Sequence, residues 1–272
     1  MNAILRLVNC FQLVLALLFF GMPFASADNL GMSFYNGTCD KKSINRANNY
    51  ASHNEMWGVT AKTENYQKYR QCMSQITMID NSSVAVSYNW DFVLGIDGGV
   101  KSYPHLTYGW DWDGIYTTSK LPLRVGEINK LLMSYSYDIK SKGKLNLAFD
   151  IWMSKEKFPK RETLTKEIMI WVENKGFLLK RKKVDTAKID GKWYDIYIGP
   201  ANPDVGKWTY IAFVAHKYSQ SDNLNLAQFL KYLKNNGTVS DNEYVNGISF
   251  GPEIIDGSGA LTIKRFLVNT FK

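Results

Sequence analysis

Over much of this chain apolar and polar residues alternate at every second position, the period of a half-buried strand. Residues 144–153 carry the pattern most clearly: Leu145, Leu147, Phe149 and Ile151 share one face, Asn146, Ala148, Asp150 and Trp152 the other. Residues 166–172 repeat it, with Ile168, Ile170 and Val172 on the apolar face and Glu167, Met169 and Trp171 opposite. In both stretches a carboxylate and an indole share the second face, which suits either a solvated sheet surface or the floor of a sugar-binding cleft. Further alternating strands are expected over residues 84–90, 191–198, 207–215 and 244–271. One stretch has another period: Leu226, Phe229, Leu230 and Leu233 follow helical spacing, with Asp222 or Asn223 available as cap and Gly237 as terminator. The pattern predicts an all-β protein with a single helix packed against a sheet. No internal repeat or linker divides residues 28–272, which are expected to form one domain.

The first residues follow neither period. Arg6 precedes an unbroken apolar run over residues 13–20, and Ala25-Ser26-Ala27 is an A-x-A cleavage site, so residues 1–27 read as a secretory signal peptide. The mature chain is then expected to begin at Asp28 and to be soluble and extracellular. No later stretch approaches about 18 consecutive apolar residues, so no membrane anchor is expected. Export removes Cys10 and leaves Cys39 and Cys72 as an even pair in an oxidising compartment. A disulfide between them is expected; the alternative is two buried thiols. Asn36, Asn81 and Asn236 open glycosylation sequons, which matter only in a host with the machinery.

The formal charge is +8, and +7 once residues 1–27, with Arg6 and no acid, are removed. Part of it is concentrated in Lys180-Arg181-Lys182-Lys183. That run lacks aromatic interleaving and any nucleic-acid motif, so it is expected to be a solvated hairpin end, aiding solubility or drawing the protein weakly to acidic wall polymers.

The chemistry on offer is narrow. His53, His105 and His216 are scattered without metal-ligand spacing, and no Cys cluster or acidic calcium loop accompanies them, so neither a metal nor a cofactor is expected. There is no Gly-x-Ser-x-Gly elbow and no phosphate-binding glycine loop. Carboxylates and indoles remain. Glu253 follows Gly251-Pro252, a pair expected to disturb strand pairing and re-aim the side chain. Trp57, in Asn54-Glu55-Met56-Trp57-Gly58, is either a stacking platform with an amide beside it or a core residue. Trp110 and Trp112 are either a packed cluster or a second platform. Two carboxyl groups with aromatic surfaces suit glycoside hydrolysis, in which one protonates the leaving oxygen and the other attacks the anomeric carbon or activates water.

Five segments in order carry a family resemblance: Asn54-x-x-Trp57-Gly58, Val100-Lys101-Ser102-Tyr103-Pro104, Ala148-Phe149-Asp150, Glu167-Ile168-Met169-Ile170-Trp171 and Gly251-Pro252-Glu253. Together they resemble glycoside hydrolase family 12, secreted endo-β-1,4-glucanases and xyloglucan-active relatives, from about Cys39 to the C-terminus. The resemblance implies a two-sheet antiparallel β-jelly roll with a concave cleft and one packed helix. It implies a retaining mechanism with Glu167 as nucleophile, Glu253 as general acid/base and Asp150 hydrogen-bonded to the nucleophile. Glu167's charge is expected to keep Glu253 protonated. Substrate contacts are expected from Asn54, Trp57, Tyr103, Met169 and Trp171, on a β-glucan partner and in a monomer. Three departures bear on substrate preference: His105 where relatives often have Asn, Glu55 interrupting an Asn pair, and Phe149 in place of Tyr. Two other readings stay open: a glucan-binding module without turnover, and a transglycosylase using the same residues.

Overall fold

The computed structural model describes residues 37–271 apart from 61–62, 64–65, 96–98, 113 and 204–205. The expected signal peptide, Asn36 and Gly98 lie outside the described residues. The strands are β1 (Ile44–Ala47), β2 (Tyr50–His53), β3 (Arg70–Met73), β4 (Thr77–Met78), β5 (Val84–Asp91), β6 (His105–Gly109), β7 (Leu123–Arg124) and β8 (Lys130–Lys142). They continue with β9 (Leu145–Ser154), β10 (Leu164–Lys175), β11 (Lys183–Ile189), β12 (Lys192–Pro200), β13 (Thr209–Ala215), β14 (Ser221–Asn225), β15 (Tyr244–Ile254) and β16 (Ser258–Phe271). One α-helix, α1 (Leu226–Asn235), is found among the described residues.

The strands form two sheets. The larger runs β1-β2-β6-β15-β9-β10-β13-β12-β11, with β7 on β15; the smaller runs β14-β8-β16-β5-β3, with β4 on β5. Every pair is antiparallel except β10 with β13, which lie parallel. The two-sheet sandwich with one packed helix is the expected fold, and this is the one parallel pairing among the described strands. It places Tyr210 of β13 opposite Glu167 of β10.

The apolar faces read from the sequence are the ones that meet. Leu147, Phe149, Ile151, Ile168, Ile170 and Val172 from the large sheet join Tyr135, Tyr137, Leu261, Ile263 and Phe266 from the small sheet in one core. Phe149 sits at its centre, 4.5 Å from Phe250 and 5.5 Å from Tyr135 between ring centroids. Its missing hydroxyl therefore faces the core and has no bearing on the cleft, contrary to the expectation from sequence. The helix buries Leu226, Phe229, Leu230 and Leu233 as its spacing predicts, and Phe229 meets Tyr194 and Phe213 edge-on. Its cap is Asn225, whose side chain accepts from the Ala227 N–H at 3.2 Å. Asp222 and Asn223 belong to β14 instead. Gly237 ends the last turn with φ of 76°, a conformation that costs a glycine little. A disulfide joins Cys39 to Cys72.

Candidate active site

The outer face of the large sheet carries the polar residues left over by the core. Alternation along β9 puts Asn146, Ala148, Asp150 and Trp152 on that face, and the register of its two neighbours supplies the rest. On β10, Glu167 lies opposite Trp152 and Met169 opposite Asp150; on β15, Ser249 lies opposite Asp150 and Glu253 opposite Asn146. Glu167, Asp150 and Glu253 thus come from three adjacent strands and line one cleft of about 240 Å³.

No bulge aims Glu253. The register through Gly251, Pro252 and Glu253 against Ala148, Leu147 and Asn146 is unbroken, and the irregularity in β15 falls earlier, between Val245 and Gly247. The Glu253 N–H turns toward β9 and meets Asn146 Oδ1 at 3.2 Å, so the Pro252 nitrogen faces the side where pairing with β6 has already stopped. Gly251 has another use. A Cβ there would stand 2.1 Å from the Pro104 carbonyl oxygen and 2.8 Å from His105 Cβ, so only glycine lets the segment before β6 lie this close.

Each of the two glutamates has its own donor. Trp208 Nε1 donates to Glu167 Oε2 at 2.6 Å, and Asn146 Nδ2 donates to Glu253 Oε2 at 2.5 Å. Burial nevertheless pushes both carboxyls up, to about 7. At Glu167 the charge of Glu253 adds to burial, while the Trp208 N–H and the Arg181 guanidinium pull the other way. For Glu253 burial is the leading cause, opposed by the Asn146 amide, which revises the expectation that the neighbour's charge alone keeps it protonated. Asp150 is held well above the usual carboxylate range by burial, then by the charges of Glu167 and Glu253. Its Oδ1 is buried without a hydrogen-bond partner, so the bond expected between Asp150 and Glu167 is not made through that oxygen.

Aromatic residues wall the cleft. Trp57, 55 % exposed, is one of them; Trp208 packs edge to face on Trp112 and Trp152, and those two rings are tilted by 33° to each other, all at 5.1–5.3 Å. Trp110 packs behind them, 6.2 Å from Trp152, so the pair Trp110 and Trp112 divides into one buried ring and one that lines the cleft. Tyr103 and Met169 also line it. Two expected contacts do not. Trp171 is 1 % exposed beneath Phe177, because the row Ala148, Trp171 and Val214 is roofed by the chain that follows β10. Asn54 is buried with its amide fully used: Nδ2 donates to the Asp40 and Gln71 carbonyls, and Oδ1 accepts from Gln71 Nε2. It clips the segment beside the disulfide.

Further contributors were missed from sequence, among them Asp111, which lines the cleft. Asn146 was legible, four residues before Asp150 on the same face. Glu55 lines the cleft beside Trp57. Trp208 carries no pattern, since it precedes β13 and reaches Glu167 only through the parallel pairing. Arg181 lay in the basic run: Lys180, Lys182 and Lys183 are exposed as expected, but Arg181 stacks over Tyr210 at 4.7 Å and its charge reaches Glu167.

The sequence scatter of histidines also misled. His53 and His105 face each other across β2 and β6, with rings stacked at 4.6 Å and 8° from parallel. Asp111 touches both, Oδ2 at 3.4 Å from His53 Nδ1 and Oδ1 at 3.3 Å from His105 Nε2. Lone pairs of imidazoles lie in the ring planes, and two parallel planes at this spacing share no point, so the trio is a charge cluster and a poor cation cage.

A β-sandwich whose outer face gathers buried carboxyl groups inside a trough of indoles defines a carbohydrate-cleaving enzyme of the two-carboxylate kind. Comparison with known proteins narrows this. Residues 48–271 match the model of Glycosyl hydrolase family 12, and the chain belongs to that family as a glycoside hydrolase. It is 28 % identical to Endoglucanase S of Pectobacterium parmentieri over 226 residues, 82 % of each chain. It is 25 % identical to Xyloglucan-specific endo-beta-1,4-glucanase A of Emericella nidulans over 237 residues, 85 % of this chain and 90 % of that one. Among solved structures it resembles a family 12 xyloglucanase from Bacillus licheniformis with a TM-score of 0.76 and 26 % identity, covering 86 % of this chain and all of the other.

Proposed function

We propose that the protein is a secreted, endo-acting β-1,4-glucan hydrolase that retains anomeric configuration, its residues 28–272 working as one catalytic domain after loss of residues 1–27. The observation that carries this reading is a buried glutamate pair with unequal surroundings. Glu167 has an indole N–H and the field of a guanidinium, whereas Glu253 has a neutral amide. The indole N–H and the guanidinium favour the carboxylate form at Glu167, where Glu253 has only the amide to do so, and we place the attacking carboxylate on Glu167. In the first step its carboxylate attacks the anomeric carbon as the glycosidic C–O bond breaks, and Glu253 gives its proton to the departing oxygen. In the second, Glu253 takes a proton from water, whose oxygen displaces Glu167 from the same carbon. Direct attack requires carboxyl groups about 5 to 5.5 Å apart. Asp150, protonated among these charges, offers an O–H to a carboxylate or to a sugar oxygen. Trp57 supplies a face for a glucosyl ring, with Tyr103 and Met169 beneath the chain.

Relatives named for xyloglucan and for endoglucanase activity make neutral β-1,4-linked glucans the substrates to try. The test is reducing-end release from carboxymethylcellulose, mixed-linkage glucan and xyloglucan by wild type and Glu167→Gln, with proton NMR of the first product formed. Release that falls at least about 10³-fold in the variant, with a β-anomer appearing first, supports the reading. An α-anomer first would replace the retaining mechanism by inversion. Inertness on all three polymers, with binding intact, would leave a glucan-binding module.

A further inference from the structure

The His53–His105–Asp111 cluster is buried at the cleft wall, which His105 and Asp111 line, and the mechanism above does not use it. His105 Nδ1 lies 2.6 Å from the Tyr103 carbonyl oxygen, which can only accept, so Nδ1 carries a proton. A neutral ring would then leave the Nε2 lone pair 3.3 Å from Asp111 Oδ1 in a dry interior, with no hydrogen bond between them. Protonating Nε2 turns that contact into an ion pair. The groups facing His105 are Asp111 beyond β6, Glu55 beyond β2, His53 on β2 and Tyr103 before β6; Gly251 of β15 brings no charge. Burial alone would empty the ring of its second proton, but Asp111 and then Glu55 overcome it and push His105 up to about 9. His53 is the reverse, driven down to about 4 by burial. One imidazolium and one carboxylate are the resting charges of the trio.

The placement matters because Asp111 and Glu55 both act on Asp150, raising it further, and Asp150 in turn feels Glu167 and Glu253. We propose that His105 is a positioning residue, a standing positive charge fixed between the Tyr103 carbonyl and Asp111 that offsets part of the Asp111 charge felt at Asp150 and through it at the glutamate pair. Stacked at 4.7 Å on Tyr103, whose hydroxyl donates to the Ala148 carbonyl at 3.3 Å, the ring also fixes that tyrosine in the cleft wall. The inference rests on the proposed roles of Glu167 and Glu253 for its consequence in turnover, but not for the charge itself.

Two readouts test it without needing activity. In protein with ¹⁵N-labelled histidine at pH 7.5, both ring nitrogens of His105 should be protonated and only one of His53, with Glu55 and Asp111 in place. A neutral His105 would overturn the proposal. In ¹³C titrations of the cleft carboxyls, His105→Asn should move the Asp150 and Glu167–Glu253 transitions up by about half to one pH unit, the field of one uncompensated charge. The double variant His105→Asn, Asp111→Asn removes both charges and should return them to wild-type positions. Unmoved transitions in the single variant, or a double variant that stays shifted, would also overturn it, since lost packing alone cannot be undone by a second loss. The acidic limb of kcat/KM on mixed-linkage glucan should follow the same order. Absence of wild-type turnover would sink the hydrolase reading, while the two NMR readouts would still decide this one.

Discussion

At the scale of single residues the cleft is a contest between burial and hydrogen bonding. Glu167 has every reason to stay neutral except the Trp208 N–H and the distant Arg181 charge. Trp208→Phe keeps an aromatic ring against Trp152 and Trp112 but deletes the N–H donor along with the rest of the five-membered ring. A hydrogen bond to a charged acceptor contributes about 1.5 to 3 kcal/mol, so the acidic limb of kcat/KM should move up by about one pH unit or more, with a smaller change near neutrality. An unmoved limb would mean that Glu167 does not set it. None of this was visible around position 208 in the sequence, where an indole precedes an ordinary strand. By contrast Glu167, Asp150 and Glu253 were each legible as carboxyls in alternating stretches, because a charge on a mostly apolar strand breaks a local rule. Asn54 and Trp171 broke no such rule. Their burial depends on Gln71 and Phe177, residues 17 and 6 positions away along the chain.

At the scale of elements, close approach decides more than propensity. β15 can lie under Pro104 and His105 only because position 251 has no Cβ. Gly251→Ala should cost more than about 2 kcal/mol in a urea melt, since the 2.1 Å contact is to a backbone oxygen that cannot swing away, and activity should fall with it. The helix is held differently. Asn225 Oδ1 accepts from both Ala227 N and Leu131 N, capping α1 and tying it to β8. Asn225→Ala should lower stability by about 1 to 2 kcal/mol and leave kcat/KM unchanged, because α1 supplies no cleft residue. Its cap was misread by two or three positions for a clear reason: Ser221–Asn225 pairs with β8, and pairing a strand delays the start of the helix.

At the scale of the whole molecule, the cleft is bought with stability. Two carboxyls raised from 4.5 to about 7 bind protons in the folded state that the unfolded chain has released, so their contribution is complete below about pH 4.5 and is lost as pH rises through 7. Glu167→Gln removes one of them while keeping an acceptor for Trp208. The variant should melt a few degrees above wild type at pH 8 and level with it near pH 4.5; equal melting at both would contradict a raised Glu167. His53 acts in the opposite sense. Its folded value near 4 makes stability fall as pH drops from about 6.5 toward 4. The Cys39–Cys72 link, 33 positions apart, limits the unfolded chain, and Cys39→Ser with Cys72→Ser should cost about 3 to 4 kcal/mol at any of these pH values.

By itself the sequence determined which residues turn inward. A period of two along most of the chain and of 3.6 along one stretch specified strands, a helix and the two faces of β9 and β10, because burial of alternate side chains is a local property of the backbone. The tertiary structure alone decided which polar faces meet. Pairing β10 in parallel with β13 brought Trp208 and Tyr210 to Glu167, pairing β2 with β6 stacked His53 on His105 above Asp111, and the turn of the chain after β10 covered Trp171 and carried Arg181 to Tyr210. These contacts join residues tens of positions apart, through sheet order and strand direction, which no local period encodes.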